Sequence, residues 1–490
     1  MKRKFLAAAL AVAFVASAAS CSSQPGGTSN AVNSAAPSSS STETSSNVSS
    51  NASSAAASIP ETGLSGTLNI MSITDEMNCL ATAFQKENPN VKVNYSKNGT
   101  EYPTKLQTIL ASGSGVPDVV ALQVDYVKNF VNGPYLAELS VLKPFADEDK
   151  IYPFVLQAGT DSNGTLKALS FQATPAGVYY RRSIAKQYFG TDDPAQVQAM
   201  MSDFTKFKQM ASTLKEKSGG TAVMISTVDD LVAPYLFTRS QPWIVNNTLT
   251  IDPKVTDLLN YCKDFWQNGY QANAAWWGAT WFEGMNDTFT DASGKVIKVF
   301  CYPMGSWGVS VAIQPNAKTV TTDTSGDWAI CEGPAFHSSG GTWMGIPKAA
   351  PDHDLALSFV KFATLDQQTL TDWAKGTYTN AYLKAINPAI GDISQPAGDF
   401  VPSQVVVQNI SSSFDNSSVT KFLGGQNPYA FWNTLAPNIK FDLLQGTDGT
   451  LSNLLMGPIA DYSAGKKSLD EAMKEFKDAA ANALPDITVN

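Results

Sequence analysis

Past its first 60 residues the chain opens on an alternation of two hydrophobic periods. Thr67-Leu68-Asn69-Ile70-Met71 reads as a strand, and Met77, Leu80, Ala81 and Phe84 then recur at helical spacing until Asn88-Pro89-Asn90 ends the run. Val91 to Tyr95 alternates as a second strand. Leu106, Ile109 and Leu110 mark a further helix closed by Gly113, and Val119 to Leu122 forms a buried strand after the turn Val116-Pro117-Asp118. Strands alternating with helices predict an α/β layer with a largely parallel sheet. Further on, Asp354 leads a helix with Leu355, Phe359 and Phe362 on one face. Ser468-Leu469-Asp470-Glu471 has the form of a capping box, followed by the apolar stripe Leu469, Met473, Phe476 and Ala480. No repeat of 20–50 residues is visible.

The first 60 residues have a different texture. Lys2, Arg3 and Lys4 precede the apolar run from Phe5 to Ala19, which ends at Ala18-Ala19-Ser20-Cys21. A basic start, a short apolar stretch and small residues before a cut site describe a secretory signal. The run is 15 residues long, Ser17 included, and falls short of the roughly 20 that cross a bilayer. The segment resembles the lipobox of bacterial lipoproteins, which implies that Cys21 becomes the acylated N-terminus and anchors the chain to membrane lipid. From Ser22 to Ser58 the sequence is almost wholly Ser, Ala, Asn, Thr and Gly. Such a stretch cannot bury enough apolar surface to offset its ordering entropy, so a flexible tether with an r.m.s. span of about 30–35 Å is expected.

Charge and composition narrow the class. The chain carries 34 basic and 43 acidic residues, a net −9, which becomes −12 once the signal and its three basic residues are removed. An acidic exterior argues against nucleic acid. More than 400 residues of body exceed what one core usually holds, so two domains are expected. Cys79, Cys262, Cys301 and Cys331 are scattered, with neither a Cys-x-x-Cys nor a histidine at metal spacing; no metal or cofactor is expected. There is no phosphate-binding G-x-x-x-x-G-K-[ST] loop and no G-x-S-x-G elbow. The two histidines, His337 and His353, sit in segments that suggest no hydrolase.

Four blocks in order resemble the extracellular solute-binding proteins of ABC importers, in the branch for sugars and oligosaccharides that includes maltose-binding proteins. They are Phe84 to Val93, with the Asn88-Pro89-Asn90 turn; Gly113 to Val120 followed by Asp125-Tyr126; Gly294-Lys295-Val296 followed by Met304-Gly305-Ser306-Trp307-Gly308; and Gly345-Ile346-Pro347-Lys348 followed by the helix from Leu355 to Thr364, then Trp373-Ala374. The resemblance implies an α/β, two-lobed periplasmic-binding-protein-like fold with discontinuous lobes and a multi-strand hinge. Its expected limits are residues 1–20 for the signal, 21–60 for the lipidated cysteine and tether, 64–174 plus 308–347 for lobe 1, and 175–307 plus 348–490 for lobe 2. The chain crosses near Ala173 to Ala176, Ser306 to Gly308 and Pro347 to Ala350. It also implies a monomeric, non-enzymatic receptor on the outer side of the cell membrane, handing its ligand to a permease while a separate subunit uses ATP.

A saccharide presents apolar ring faces to aromatic planes and hydroxyls to planar polar groups. Trp243, Trp276, Trp277, Trp281, Trp307 and Trp343 stand in polar or Gly-rich contexts suited to that task. In the resembled family the Trp of the Gly-Ser-Trp-Gly turn, here Trp307, stacks on a sugar ring, and Trp432 matches a position where relatives place a cleft aromatic. Asp75 and Asp125 follow strands at the end where α/β sheets hold ligands and match family carboxylates. Gln123 is a companion, and Tyr180 matches a family tyrosine near the first crossing. Helix capping is the competing role for both aspartates, and packing in the core is the competing role for the aromatics. Arg181-Arg182 leaves room for a sugar phosphate or glycerol phosphate; a polyamine or a peptide is a further alternative. A tethered glycoside hydrolase using carboxylates among Asp75, Glu76, Glu283 and Asp287 is the other class.

Overall fold

The computed structural model describes residues 59–99, 101–393 and 399–490. The signal, Cys21 and the tether up to Ser58 lie outside them. The strands are β1 (Gly66–Ser72), β2 (Val91–Lys97), β3 (Val119–Gln123), β4 (Ala168–Ser170), β5 (Pro175–Arg181), β6 (Ala222–Ile225), β7 (Ile244–Val245), β8 (Thr248–Leu249), β9 (Lys298–Gly305), β10 (Trp328–Cys331), β11 (His337–Ser338) and β12 (Thr342–Gly345). They form two five-stranded sheets and the small β7–β8 ribbon. One sheet runs β2-β1-β3-β12-β4; the other runs β10-β5-β9-β6, with β11 also on β5.

The expected opening is present. Helix Glu76–Glu87 buries Met77, Leu80, Ala81 and Phe84 and gives way at Asn88. Gly113, at φ 68°, closes helix Tyr102–Ser112 in the left-handed region that a side chain would strain. Ser468 and Glu471 make the reciprocal capping box, at 3.2 Å from the Glu471 amide and 2.8 Å from the Ser468 amide. One start moves by two residues. Asp352, not Asp354, caps helix His353–Leu365, its carboxylate accepting from the Leu355 amide at 3.0 Å.

The parallel expectation holds for only part of the fold. β1 pairs parallel with β2 and β3, but β12 runs antiparallel to β3 and β4. In the second sheet only β6–β9 is parallel. Strands that arrive from the other sheet, rather than through a local helical crossover, are free to enter in either sense. The chain changes sheet between Ser170 and Pro175, and again between Ser338 and Thr342. The expected lobe limits at 307/308 and 347/348 fall elsewhere. β10 and β11 stay on β5 after residue 308, and helix His353–Leu365 lies against β1 and helix Glu76–Glu87.

Short hydroxyl side chains tie the crossing segments to one another. Ser306 Oγ donates to Ala173 O at 3.0 Å, Ser338 Oγ to Thr174 O at 2.7 Å, and Thr174 Oγ1 to Gly340 O at 2.9 Å. Ser170 Oγ reaches Thr342 O at 2.7 Å. Each bond gives a backbone carbonyl at the change of sheet a side-chain donor; Thr174 O also accepts from the Ser339 amide at 3.2 Å.

Trp343, placed in the ligand cleft by its sequence context, is core. It is buried on β12 between β3 and β4, and its indole N–H donates to Val155 O at 2.9 Å. Trp343→Ala should therefore lower stability by about 3–5 kcal/mol, read as a large drop in the urea midpoint. An unchanged midpoint would place this indole outside the core.

Candidate functional site

Between the two sheets lies a cavity of about 420 Å³. One wall is Val124 and Asp125, just past β3. The base is the crossing segment Ser338–Ser339–Gly340. A second part of the lining is Asp229, Val232, Ala233, Leu236, Phe237, Arg239 and Trp276. The remainder comes from Lys440 to Leu444 and the opening of helix Asp448–Ser463, which contributes Asp448, Ser452, Asn453 and Met456. That helix can approach the β3 side because its first turn is bare. A Cβ at Gly449 would fall 2.5 Å from the Asp125 Cβ, and one at Gly446 only 1.9 Å from Asn129 Oδ1.

The aromatic part is built in layers. Trp281 is buried and donates its indole N–H to Asp230 Oδ1 at 3.0 Å. Trp277 stacks on it, with ring centroids 5.1 Å apart and planes 25° apart, and stands 5.8 Å from Trp307. Trp307 is half-buried, its edge fixed by a 2.8 Å bond from Nε1 to Ser339 O at the cavity base. Trp276 and Trp277 remain 47% and 40% exposed, unusual for indoles in a folded chain. Trp277 also holds φ at 55°, a strained setting for a bulky residue, of the kind that concentrates at functional sites.

Of the sequence candidates, Asp125 and Trp276 line the cavity, and Trp277 and Trp307 adjoin it through Trp276 and Ser339. Gln123 ends β3 opposite Thr342, two residues before Asp125. Asp75 makes no side-chain cap; it pairs with Lys97 at 2.5 Å and is not in the cavity lining. Trp243, Trp432 and Tyr180 are buried like Trp343. Trp243 lies under the Arg239 guanidinium at 4.6 Å, Trp432 packs 6.0 Å from Tyr179, and the Tyr180 hydroxyl donates to Asp192 O at 2.8 Å.

The arginine pair is committed elsewhere. Arg181 grips Asp287 at 2.8 and 3.1 Å and Asp327 at 2.7 Å, while Arg182 spends its donors on the carbonyls of Trp328, Asp192 and Leu423. Neither lines the cavity. The same bonds take Asp287 out of any hydrolytic pair. The residues that sequence reasoning passed over are Asp229, Arg239, Lys440, Asp442, Asp448, Ser452 and Asn453. The one local hint was Gly446-Thr447-Asp448-Gly449, a small acidic helix start.

Burial dominates the electrostatics. It pushes the Asp448 carboxyl up to about 6 even though Arg239, 3.2 Å away, pulls the other way. It raises Asp230 to about 7 against the opposing bonds from Trp281 and Thr227, and raises Asp125 and Asp229 as well. Glu76, which opens the helix after β1, is raised to about 7 by burial and by the charge of Asp399; burial lifts Asp399 itself to about 6. The lining carries four aspartates against Arg239 and Lys440, so it favours a neutral ligand over an anion.

A family model described as bacterial extracellular solute-binding protein matches residues 72–369. The chain belongs to that family. Solved structures agree on the architecture. One described as an extracellular solute-binding protein family 1 member is 18% identical, with a TM-score of 0.67 over 85% of this chain and 99% of that one. The ABC transporter associated binding protein from B. animalis subsp. lactis Bl-04, in complex with beta-1,6-galactobiose, is 15% identical, with a TM-score of 0.62 over 87% and 100%. The sugar-binding protein MalE from Xanthomonas citri is 16% identical, with a TM-score of 0.61 over 86% and 98%. No curated protein sequence matches. At these identities the likeness is one of fold: two discontinuous α/β lobes joined by several strands. Among the described residues no helix is long and apolar enough to cross a membrane.

The raised carboxyls give a pH dependence with a definite sign. In the folded chain Glu76, Asp230, Asp399 and Asp448 take up protons near 6–7, whereas unfolded carboxyls do so near 4. The native state thus binds more protons between about pH 8 and pH 5.5, and stability rises as pH falls through that window. Melting temperatures should increase on acidification there. A steady fall over the same range would show that these groups stay ionised in the fold.

Proposed function

We propose that this chain is a membrane-tethered extracellular receptor that captures a neutral carbohydrate, an oligosaccharide in size, in the cleft between its lobes and delivers it to an ABC permease. The observation that carries the reading is the pairing of two exposed indoles, Trp276 in the cavity lining and Trp277 stacked on Trp281, with a cavity whose polar lining is Asp, Asn, Ser, Arg239 and Lys440. Aromatic planes take the C–H faces of a sugar ring and the polar groups take its rim. The galactobiose and MalE neighbours support the same ligand class. Asp125, Trp276, Trp277 and Trp307 are the proposed contacts, with Gln123 beside them. In this reading lobe 1 is built on β1–β4 and β12, and lobe 2 on β5, β6 and β9–β11. Acylation at Cys21 supplies the anchor. Ligand touching both lobes favours the closed form because only there are both sets of contacts made. The chain binds and releases; it makes and breaks no covalent bond.

Titration calorimetry of the full chain against mono- to tetrasaccharides, with sugar phosphates and peptides as controls, tests this. A saccharide series should bind saturably. Trp276→Ala should weaken the best binder about tenfold or more, roughly 1.4 kcal/mol, with the melting temperature unchanged. Binding of phosphates or peptides alone would overturn the carbohydrate reading.

A further inference from the structure

The buried polar atoms that lack a hydrogen-bond partner are not spread evenly. Among the described residues eight side-chain atoms are in that state, and four of them, Arg239 Nη1, Trp243 Nε1, Thr447 Oγ1 and Asp448 Oδ1, belong to one cluster. Folded chains rarely leave such groups unpaired, and each case calls for a physical reason. Two of the four, Arg239 Nη1 and Asp448 Oδ1, belong to residues that line the cavity.

The cluster is centred on an ion pair held rigidly from behind. Arg239 Nε donates to Leu236 O at 3.0 Å, its guanidinium lies on the Trp243 ring at 4.6 Å, and Nη2 donates to Asp448 Oδ2 at 3.2 Å. That leaves one unused donor on the arginine and one unused acceptor on the aspartate, and both residues line the cavity. A hydroxyl both donates and accepts, so two hydroxyls on adjacent carbons can satisfy the two groups at once. An anionic group would suit Nη1 but face the bare oxygen of Asp448; an ammonium would meet the opposite mismatch.

We propose that Arg239 and Asp448 form a specificity-determining couple that grips a pair of neighbouring hydroxyls on a neutral sugar ring, one group on each. The inference rests on the carbohydrate reading above and names which groups of the ligand are read and by what. A site built on matched donor and acceptor rejects an analogue lacking the hydroxyl far more strongly than an apolar pocket does, because its own polar groups are then left unpaired.

The test uses the full chain and the tightest binder from a saccharide panel that includes maltose, β-1,6-galactobiose and lacto-N-biose, together with monodeoxy analogues of that binder. In the unaltered protein, removing one hydroxyl of the gripped pair should cost tenfold or more in affinity. In Asp448→Asn the parent sugar should bind at least tenfold more weakly, and the same deoxygenation should cost little further. If Asp448→Asn does not fold, Arg239→Lys carries the same comparison. Equal deoxygenation penalties in the two proteins, or unchanged affinity in the variant, would overturn the couple while leaving the receptor reading intact. Absence of any saccharide binding by the unaltered chain would overturn both.

Discussion

The constraint on which the rest depends is that two separate sheets meet through a few short crossing segments where the regular ladders end and backbone carbonyls still need donors. Thr174, Ser170, Ser306 and Ser338 supply them with their hydroxyls, bonding the carbonyls of neighbouring crossing segments. Each bond contributes about 0.5–1.5 kcal/mol net, less than their absence would cost, since an unpaired buried carbonyl is penalised in full. The same segments form the base of the cleft. Ser338, Ser339 and Gly340 line the cavity, and Ser339 O sets the position of Trp307. The crossing segments and the cavity base are therefore one piece of backbone, so in the proposed closure a rotation of the lobes moves the walls around whatever that base holds.

Support passes outward from this base in a definite order. Asp230 holds Trp281, Trp281 carries Trp277, and Trp277 stands beside Trp307. In a second arm, Trp243 backs Arg239, which holds Asp448 at the head of a 16-residue helix. In both arms a buried indole positions a polar or aromatic group at the cavity. The raised carboxyls and unpaired atoms around these arms represent stability given up at the cleft, as expected where a surface is prepared for a partner.

Much of this was legible along the chain. The opening strands and helices follow from hydrophobic period, and Asp125 from its place beyond a four-residue apolar strand. Trp276 and Trp277 stood out because their density in a polar stretch exceeds what a core stripe needs. For Trp343 the misleading signal was its glycines, since a Gly-rich context marks close backbone approach as often as exposure, and beside Gly341 this indole fills space next to a crossing segment. Trp432, expected from a family position, packs over Gly177 instead. Arg239 had no signal in sequence, and Asp448 only the small acidic helix start around it. They stand 209 residues apart and meet only through packing that no local pattern reports. The antiparallel entry of β12 and β4 was invisible for the same reason, since strand sense depends on where the chain arrives from.

The central claim is that the two sheets belong to lobes that close on a ligand around the crossing segments. Small-angle X-ray scattering of residues 59–490 with and without a saturating bound saccharide measures this directly. The account predicts a fall in the radius of gyration on saturation, reversed when the sugar is removed. Saturated binding with an unchanged radius would contradict closure and leave a rigid cleft in its place.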